Sequence, residues 1–309
     1  MAIMRPGHIQ PVKLLGMGYP GTGKTGSLAA LANSGRFKLR ILDYDGNHQL
    51  LYTYIRPEFW PNVDIVTLED DEKMGPEQMQ TVGVPTALTR GMKMLDRWMY
   101  NDPEAPGGVV DLGPVSSWGT DAVLVVDNLT SLGTAAMHQV LFAAARVGQR
   151  PQKSDWGTVQ GNIEGFIRLA MSGKLKCNVI VFSHLKMVGP PRPEVKEDAE
   201  IREWKVEAAE HIPFRLCPNI LGQALAPHAA GHFPLVVLYD REVVGPKVKR
   251  VIKWEPQVEV DTKLYLPGLA PKLDVADGLL KIFDAALGVG GTPAPQIAPA
   301  VATTEGTAK

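Results

Sequence analysis

Apolar runs that do not alternate with polar residues recur along the first two thirds of the chain. They lie at 12–17, 38–45, 63–68, 121–128 and 178–184. A strand that is buried on both faces of a sheet is apolar throughout, so these runs predict central strands. Between them lie stretches of helical character, such as 87–100 with its apolar stripe and 130–147. Strands that alternate with helices predict an α/β fold with a mostly parallel twisted sheet flanked by helices.

The remaining segments predict loops within this fold and the end of the folded domain. Residues 73–86 have the composition of a loop, and 101–119 and 187–215 are predicted to be loop insertions. Two strand-like runs flank Gly245-Pro246 and predict a late β-hairpin, and 273–287 predicts a final helix. The Gly, Ala, Pro and Thr-rich stretch 287–309 predicts a disordered tail, which leaves 1–286 as one core domain.

A glycine-rich motif follows the first predicted strand and precedes a run of helix formers. It matches the phosphate-binding P-loop pattern G-x-x-x-x-G-K-[ST] at every fixed position, as Gly18-Tyr19-Pro20-Gly21-Thr22-Gly23-Lys24-Thr25. Glycine lets the backbone curl until its N–H groups point at phosphate oxygens, and the helix N-terminus adds its positive dipole end. The motif therefore predicts ATP as cofactor, with predicted contacts from Gly18, Gly21, Thr22, Gly23, Lys24, Thr25 and Gly26.

Two residues of the motif have distinct predicted roles. Lys24 offers a mobile positive charge to the β- and γ-phosphates, and Thr25 offers a hydroxyl to Mg²⁺. A second candidate Mg²⁺ ligand is Asp127, at the end of the apolar strand Val123-Leu124-Val125-Val126. In open α/β sheets ligands bind at the carboxyl ends of the strands. The alternative for Asp127 is an acid in a turn at the strand end.

Composition limits the setting of this site. The chain has 309 residues, 45% of them hydrophobic, with a formal net charge of −1 and a pI of about 6.7. Any contact with DNA must therefore come from local basic patches. Two distant cysteines, the lack of a signal peptide and the lack of an apolar run near 18 residues predict a reducing, cytoplasmic setting without membrane insertion.

Taken together, the P-loop and the Walker B-like strand that ends at Asp127 resemble the ATPase core of RecA-type recombinases. The similarity extends over about residues 10–255. It is strongest to the compact RecA-like ATPases of bacteriophages that act in single-strand annealing and recombination. This resemblance implies ATP hydrolysis with Mg²⁺, single-stranded DNA as a partner, and self-association into a ring or filament. A phage single-strand-binding or replication protein is a further candidate partner.

The resemblance also implies roles for two residues outside the P-loop. RecA-like proteins end the strand after the P-loop helix in Asp-x-Glu, whose Glu positions the attacking water. Here Asp45 occupies that place and is one methylene shorter; a solvated strand-end acid is the alternative. His184 stands where the family has a polar sensor of the γ-phosphate, and a capping or core histidine is its alternative. Asn128 stands where AAA+ proteins carry a catalytic glutamate, which argues against that class.

By the same resemblance, 186–215 would contact DNA. Seven residues there have suitable chemistry, cations for phosphates and aromatic rings for bases: Lys186, Arg192, Arg202, Lys205, Arg215, Trp204 and Phe214. Positions 191–210 hold four basic and seven acidic residues, a net charge of −3, so a solvated or partner-contacting segment is an equal alternative.

The late hairpin carries a cluster of cations. In RecA such residues reach the neighbouring subunit's γ-phosphate in trans. Here the candidates for that role are Lys247, Lys249, Arg250 and Lys253, with Arg241 nearby. DNA contacts or an exposed strand face are the alternatives. A zinc site made of Cys217, His211, His228 and His232 is conceivable, but the spacing fits no standard finger.

Two classes of function remain open from the sequence. The first is an ATPase that acts on single-stranded DNA in phage recombination or annealing. The second is a nucleotide-switched interaction protein, such as a helicase loader or assembly factor, with slow turnover and no direct DNA role. A small-molecule kinase is disfavoured because no Arg-rich lid follows the P-loop.

Overall fold

An eight-stranded sheet forms the centre of the protein. The computed structural model describes residues 10–75, 79–188, 215–222, 224–255, 260–264, 266 and 268–289. The strands are β1 Lys13–Gly18, β2 Lys38–Asp43, β3 Val63–Thr67, β4 Glu72–Met74, β5 Met79–Thr81, β6 Arg97–Asn101, β7 Val109–Pro114, β8 Ala122–Asp127, β9 Asn178–Ser183, β10 Leu185–Val188, β11 Arg215–Pro218, β12 Leu235–Val244, β13 Lys247–Lys253 and β14 Lys272–Asp274. The helices are α1 Lys24–Asn33, α2 Leu51–Tyr54, α3 Ala87–Asp96, α4 Leu129–Ala143, α5 Lys153–Ala170, α6 Ala226–Ala229 and α7 Val275–Leu287, with short 3₁₀ turns at His48–Leu50, Pro57–Asn62, Pro106–Gly108, Val115–Ser117 and Ala230–His232.

The strand order of the central sheet is β14-β13-β12-β1-β9-β8-β2-β3. The six strands from β12 to β3 are mutually parallel, and β13 and β14 are antiparallel to their neighbours. The prediction of an α/β fold with a mostly parallel sheet, flanking helices and a late β-hairpin is confirmed. Because the strands are parallel, the ends of β1, β2, β8 and β9 meet at one edge, which carries the candidate site.

Alternate side chains of each central strand point into one of two apolar cores. On β8, Leu124 and Val126 pack into the core that contains α3, α4 and α5, and Val123 and Val125 pack into the core that contains α1 and α7. Every residue of β8 is buried, as the unbroken apolar run predicts. The two cores pack the sheet between the helix layers, so the strand ends that carry the candidate site have fixed positions.

Three segments differ from their predictions. Residues 73–86 are not all loop, because β4 and β5 form a small antiparallel hairpin there. The predicted loop 101–119 contains β7, which pairs with β6. The predicted helix 87–100 ends at Asp96, since 97–101 form β6 with Trp98 fully buried and Met99 exposed. The helical pattern of apolar residues placed Met99 on the buried face. In the structure Met99 and Trp98 lie in a strand, whose side chains alternate, so Trp98 is buried and Met99 is exposed.

The β12–β13 hairpin has the predicted place around Gly245-Pro246. A third antiparallel pair that was not predicted, β10 with β11, brackets the predicted insertion 187–215. Most of that insertion, 189–214, and most of the predicted tail, 290–309, lie outside the described residues. The domain limits 1–286 and 287–309 therefore remain predictions.

Candidate nucleotide-binding site

The loop Gly18–Thr25 joins the end of β1 to the start of α1, the arrangement that the P-loop pattern requires. Gly21 and Gly23 adopt positive φ angles of 77° and 94°, a conformation that glycine takes at little cost. At Gly18 a Cβ atom would lie 2.6 Å from the Tyr239 carbonyl oxygen and 2.7 Å from Thr22 Oγ1. The glycines are thus required both by the loop's conformation and by its close packing.

The Lys24 ammonium lies folded against the loop. Its Nζ donates to the carbonyl oxygens of Gly18, at 2.8 Å, and Tyr19, at 3.1 Å. Burial lowers the pKa of Lys24 to about 8, against the opposing pull of Asp127 and Asp45. Polyphosphate oxygens would offer this partly desolvated cation better partners than neutral carbonyls do.

Thr25 and Asp127 meet although 102 positions separate them. Thr25 Oγ1 donates to Asp127 Oδ2 at 2.6 Å. Asp127 is buried, and this burial, with the nearby charges of Asp43 and Asp45, raises its pKa to about 6, while the Thr25 hydrogen bond and Lys24 act in the opposite direction. The two predicted Mg²⁺ ligands are therefore in contact at the end of β8 and the start of α1.

The chemistry of this pair fits Mg²⁺. The donors are a hydroxyl and a carboxylate oxygen, the ligand types that Mg²⁺ prefers, and Mg²⁺ commonly takes few protein ligands together with phosphates and water. The raised pKa of Asp127 shows that the positive charge of Lys24 does not offset its burial, and a divalent cation would supply the missing charge. Within the described ranges no group of three or more His, Cys, Asp or Glu side chains is arranged for a metal, so the ion would depend on the nucleotide's phosphates.

Asp45 follows the end of β2 at the same edge and has a very different environment. Asn128 Nδ2 donates to Asp45 Oδ2 at 2.8 Å, and the Ser131 hydroxyl donates to Oδ1. His184 Nε2 lies 3.8 Å from Oδ2. His184 is the main cause of a pKa lowered to about 2, and hydrogen bonds from Ser131 and Asn47 outweigh the partial burial that would raise it. Asp45 is therefore held as a carboxylate at any physiological pH.

Asn128 has two structural roles that were not predicted from the sequence. Its Oδ1 accepts from the backbone N–H groups of Thr130, at 2.9 Å, and Ser131, at 3.1 Å, so it caps α4. Its Nδ2 is left to hold Asp45. An Asn directly before a run of helix formers was the available signal for the cap, whereas its contact with Asp45 depends on tertiary structure.

His184 connects the phosphate-binding lysine to the second carboxylate. Its Nδ1 lies 3.3 Å from Lys24 Nζ, and its backbone N–H donates to Thr130 Oγ1 at 3.2 Å. Because an ammonium only donates, Nδ1 accepts, which places the ring proton on Nε2, facing Asp45. The ring thus bridges Lys24 and Asp45, as a sensor of phosphate would need to.

A second histidine supports the end of β2. His48 Nδ1 lies 2.7 Å from Asp43 Oδ2, and the Asp45 backbone N–H donates to Asp43 Oδ1 at 3.0 Å. Asp43 is almost fully buried and pairs in register with Asp127 on β8. Asp43 and His48 were not among the predicted site residues. Asp43 fixes the turn that carries Asp45.

The cations of the late hairpin have separate environments. Lys249 lies 3.3 Å from Asp274, and Lys253 lies 2.7 Å from Asp240 and 3.0 Å from Glu242. Arg250 Nε donates to the Gly21 carbonyl oxygen of the same chain at 2.9 Å. Lys247 is exposed at the hairpin turn. A role in trans or on DNA remains a prediction for these four residues.

Few of the predicted DNA contacts fall on described residues. Lys186 Nζ donates to the carbonyl oxygens of Ile220 and Gly222, so it braces the chain after β11. Arg215 is exposed at the start of β11. The others lie in 189–214 and outside the described residues: Arg192, Arg202, Trp204, Lys205 and Phe214.

The structure gives the zinc hypothesis no support. Cys217 is buried in β11, and neither it nor His228 or His232 belongs to a metal-binding group among the described residues. His232 Nε2 instead lies 3.7 Å from Glu164. His211 lies outside the described part of the chain.

Among the described residues, every helix is too short or too polar to span a lipid bilayer.

Comparisons with known proteins give low similarity. No family model matches the chain, and no curated protein matches it. Among solved structures it is similar to a KaiC-like protein from the archaeon Pyrococcus horikoshii, at 10% identity over 78% of this chain and 77% of that one, with a TM-score of 0.34. It is also similar to the RadB recombinase, at 12% identity over 79% and 81% of the two chains, with a TM-score of 0.37. The chain's own sheet, P-loop and strand-end residues therefore provide the indications of its function.

Proposed function

We propose that this chain binds ATP with Mg²⁺ and hydrolyses it. The observation that carries the proposal is the meeting of Lys24, the Thr25–Asp127 pair and Asp45 at one edge of a parallel sheet. Lys24 is the predicted phosphate cation, Thr25 and Asp127 are the predicted metal ligands, and Asp45 is a carboxylate within the same charge network.

Each residue has a step in this mechanism. Lys24 exchanges the carbonyl oxygens of Gly18 and Tyr19 for phosphate oxygens when ATP binds. Bound Mg²⁺ would neutralise charge on the phosphates. Asp45 accepts a hydrogen bond from the attacking water and orients it. In a loose phosphoryl-transfer transition state, positioning matters more than removal of the proton, so a carboxylate with a pKa of about 2 suffices.

We further propose that the ATPase acts on single-stranded DNA in recombination or annealing of the phage type, in self-associated form. The support is the sequence resemblance and the continuity of the chain. His184 contacts Lys24 and is followed directly by β10, which leads into 189–214. A change at the γ-phosphate would thus reach the predicted DNA-contacting segment through one short strand.

A second candidate function has its own observation. Contact with His184, together with hydrogen bonds from Ser131 and Asn47, keeps the pKa of Asp45 low, which weakens it as an acceptor of the water's proton. Slow hydrolysis is what a nucleotide-switched loader or assembly factor needs. The near-neutral net charge also agrees with a protein partner.

ATP hydrolysis measured with and without single-stranded DNA tests these proposals. We expect hydrolysis in the wild type, stimulation by DNA, and loss of both in Lys24→Ala. Lys38→Ala is the matched control, since Lys38 is an exposed lysine at the opposite end of the sheet that pairs with Asp121. ATP binding without any effect of DNA would favour the switch. No binding of ATP would contradict both functions.

A further inference from the structure

The late hairpin extends beyond the sheet on the side of the P-loop. β12 lies beside β1 and runs parallel to it, and their pairing ends at Gly18 with Tyr239. β12 continues through 240–244 and returns as β13. The outer half of the hairpin therefore stands at the edge where the P-loop begins.

Two arginines share the hairpin face that points to this loop. Arg241 and Arg250 are directly opposite each other in the register of β12 and β13. Arg250 Nε donates to the Gly21 carbonyl oxygen at 2.9 Å, and its Cδ is 3.1 Å from where a Cβ on Gly23 would stand. Arg241 Nη1 is 3.9 Å from the corresponding position on Gly21. Both guanidinium groups thus lie against the P-loop of their own chain.

The charges of this pair are not balanced within the described residues. Lys249 and Lys253, on the same hairpin, both have carboxylate partners. No carboxylate within ion-pair distance is found for the guanidinium of Arg241 or of Arg250 among the residues the structure describes. Like charges directly opposite on a strand pair are destabilising, so an anion between or beside them would be favourable.

We propose that Arg241 and Arg250 bind the polyphosphate of the nucleotide held by the P-loop of the same chain. This inference rests on the proposed ATP binding and deepens it. Arg250 also positions the loop through Gly21, and its remaining N–H donors and those of Arg241 would bind the phosphates. The phosphate site is then complete within one chain, and these arginines do not act on a neighbouring subunit.

Titration of each variant with ATP that carries a fluorophore on the ribose tests the proposal. We expect Arg241→Ala and Arg250→Ala each to weaken binding at least about tenfold, as loss of a charge-assisted contact predicts. Arg250→Lys should fall between these and the wild type, because lysine keeps the charge and loses the planar fork. Lys272→Ala is the control. It removes one positive charge from the neighbouring strand β14, where Lys272 pairs with Glu242.

A mixture of two variants separates action within one chain from action between chains. Lys24→Ala chains keep both arginines but have lost the phosphate-binding lysine. Added in excess to Arg250→Ala chains, they should leave the weakened binding unchanged. Recovery of wild-type affinity in the mixture would overturn the proposal in favour of action between subunits.

The remaining outcomes are equally decisive. If Arg241→Ala and Arg250→Ala bind as tightly as the wild type while Lys24→Ala does not bind, the proposal for the arginines is wrong and ATP binding stands. If the wild type itself shows no binding that depends on Lys24, the proposed function fails first. Circular dichroism melting of each variant, expected to show no loss of stability because both arginines are exposed, excludes unfolding as the cause.

Discussion

The ends of β8 and β2 place one aspartate each at the same edge of the sheet, yet their environments differ. Asp127 is buried, its carboxylate accepts a hydrogen bond from Thr25, and its pKa is raised to about 6. Asp45 is partly exposed, is held by Asn128 and Ser131, and its pKa is lowered to about 2. At Asp127 the effect of burial outweighs the nearby charge of Lys24, and at Asp45 contact with His184 together with hydrogen bonding dominates.

The difference separates two roles. A carboxylate that is costly to ionise gains most from a cation, which suits Asp127 to Mg²⁺. A carboxylate that is already satisfied has little to gain from a metal and has a fixed orientation, which suits Asp45 to a water molecule. Variants and pH changes that act on one carboxylate should therefore leave the other's role intact.

The largest effect is expected for Asp127→Asn. Loss of the metal ligand should lower ATP hydrolysis by roughly 10²–10³-fold. The same change removes a buried charge, so the nucleotide-free protein should melt roughly 4–8 °C higher at pH 7. Asp121→Asn is the control, an exposed acid at the opposite end of the sheet. A lower melting temperature in Asp127→Asn would contradict the view that burial makes this carboxylate costly to ionise.

Asp45→Asn should give the opposite pattern in stability and a smaller loss of activity. Hydrolysis should fall about 10²-fold because the water is no longer oriented by a charge. ATP affinity should change little. The melting temperature should fall by about 2–4 °C, since the hydrogen bonds from Ser131 and Asn128 lose their anionic acceptor. An unchanged hydrolysis rate would make Asp45 a structural acid only.

The two carboxylates should also respond differently to pH. Asp127 binds its proton more tightly in the folded state, so its contribution to stability falls as pH rises from about 4 to about 6. Asp45 binds its proton less tightly, so its contribution is present above about pH 4 and is lost as pH falls towards about 2. Mg²⁺-dependent ATP affinity should drop below about pH 6, where a proton competes for Asp127. Titrations between pH 5 and pH 8 would show this drop, and its persistence in Asp127→Asn would refute the assignment.

Ser131→Ala should have the smallest effect. The loss of one donor to Asp45 should raise the carboxylate's pKa and cost about 1 kcal/mol of stability, with less than a tenfold change in hydrolysis. Chemical denaturation measures the first and steady-state kinetics the second. Ser117→Ala, an exposed serine that donates to the Pro114 carbonyl oxygen, is the matched control. Equal costs for the two variants would mean that Ser131 is not special to Asp45.

Local sequence was enough for part of this picture. The P-loop, the buried strand that ends at Asp127 and the late hairpin are recognisable because their chemistry is written in consecutive residues. The environment of Asp45 was not predictable, since Ser131 is 86 positions away and meets it only after the sheet forms. The β6–β7 hairpin was missed because Pro, Gly and Ser in 101–119 are typical of loops. A single buried residue, Trp98, also does not show the alternating pattern that would indicate a strand.

The contact of Arg250 with the P-loop shows the same limit. The sequence predicts a basic strand but not which face points to the loop, because that depends on the register of β12 against β1 and β13. A shift of the β12–β13 register by one residue would place a neighbour of Arg250 against the P-loop instead.

The most direct test of the account is the affinity for ATP with and without Mg²⁺ in the wild type, Lys24→Ala and Asp127→Asn, measured by calorimetry at pH 7.5. The account predicts that Mg²⁺ tightens binding in the wild type, that Lys24→Ala binds poorly in both conditions, and that Asp127→Asn binds ATP but gains nothing from Mg²⁺. Equal gains from Mg²⁺ in the wild type and in Asp127→Asn would contradict it, because the buried carboxylate at the end of β8 would then not hold the metal.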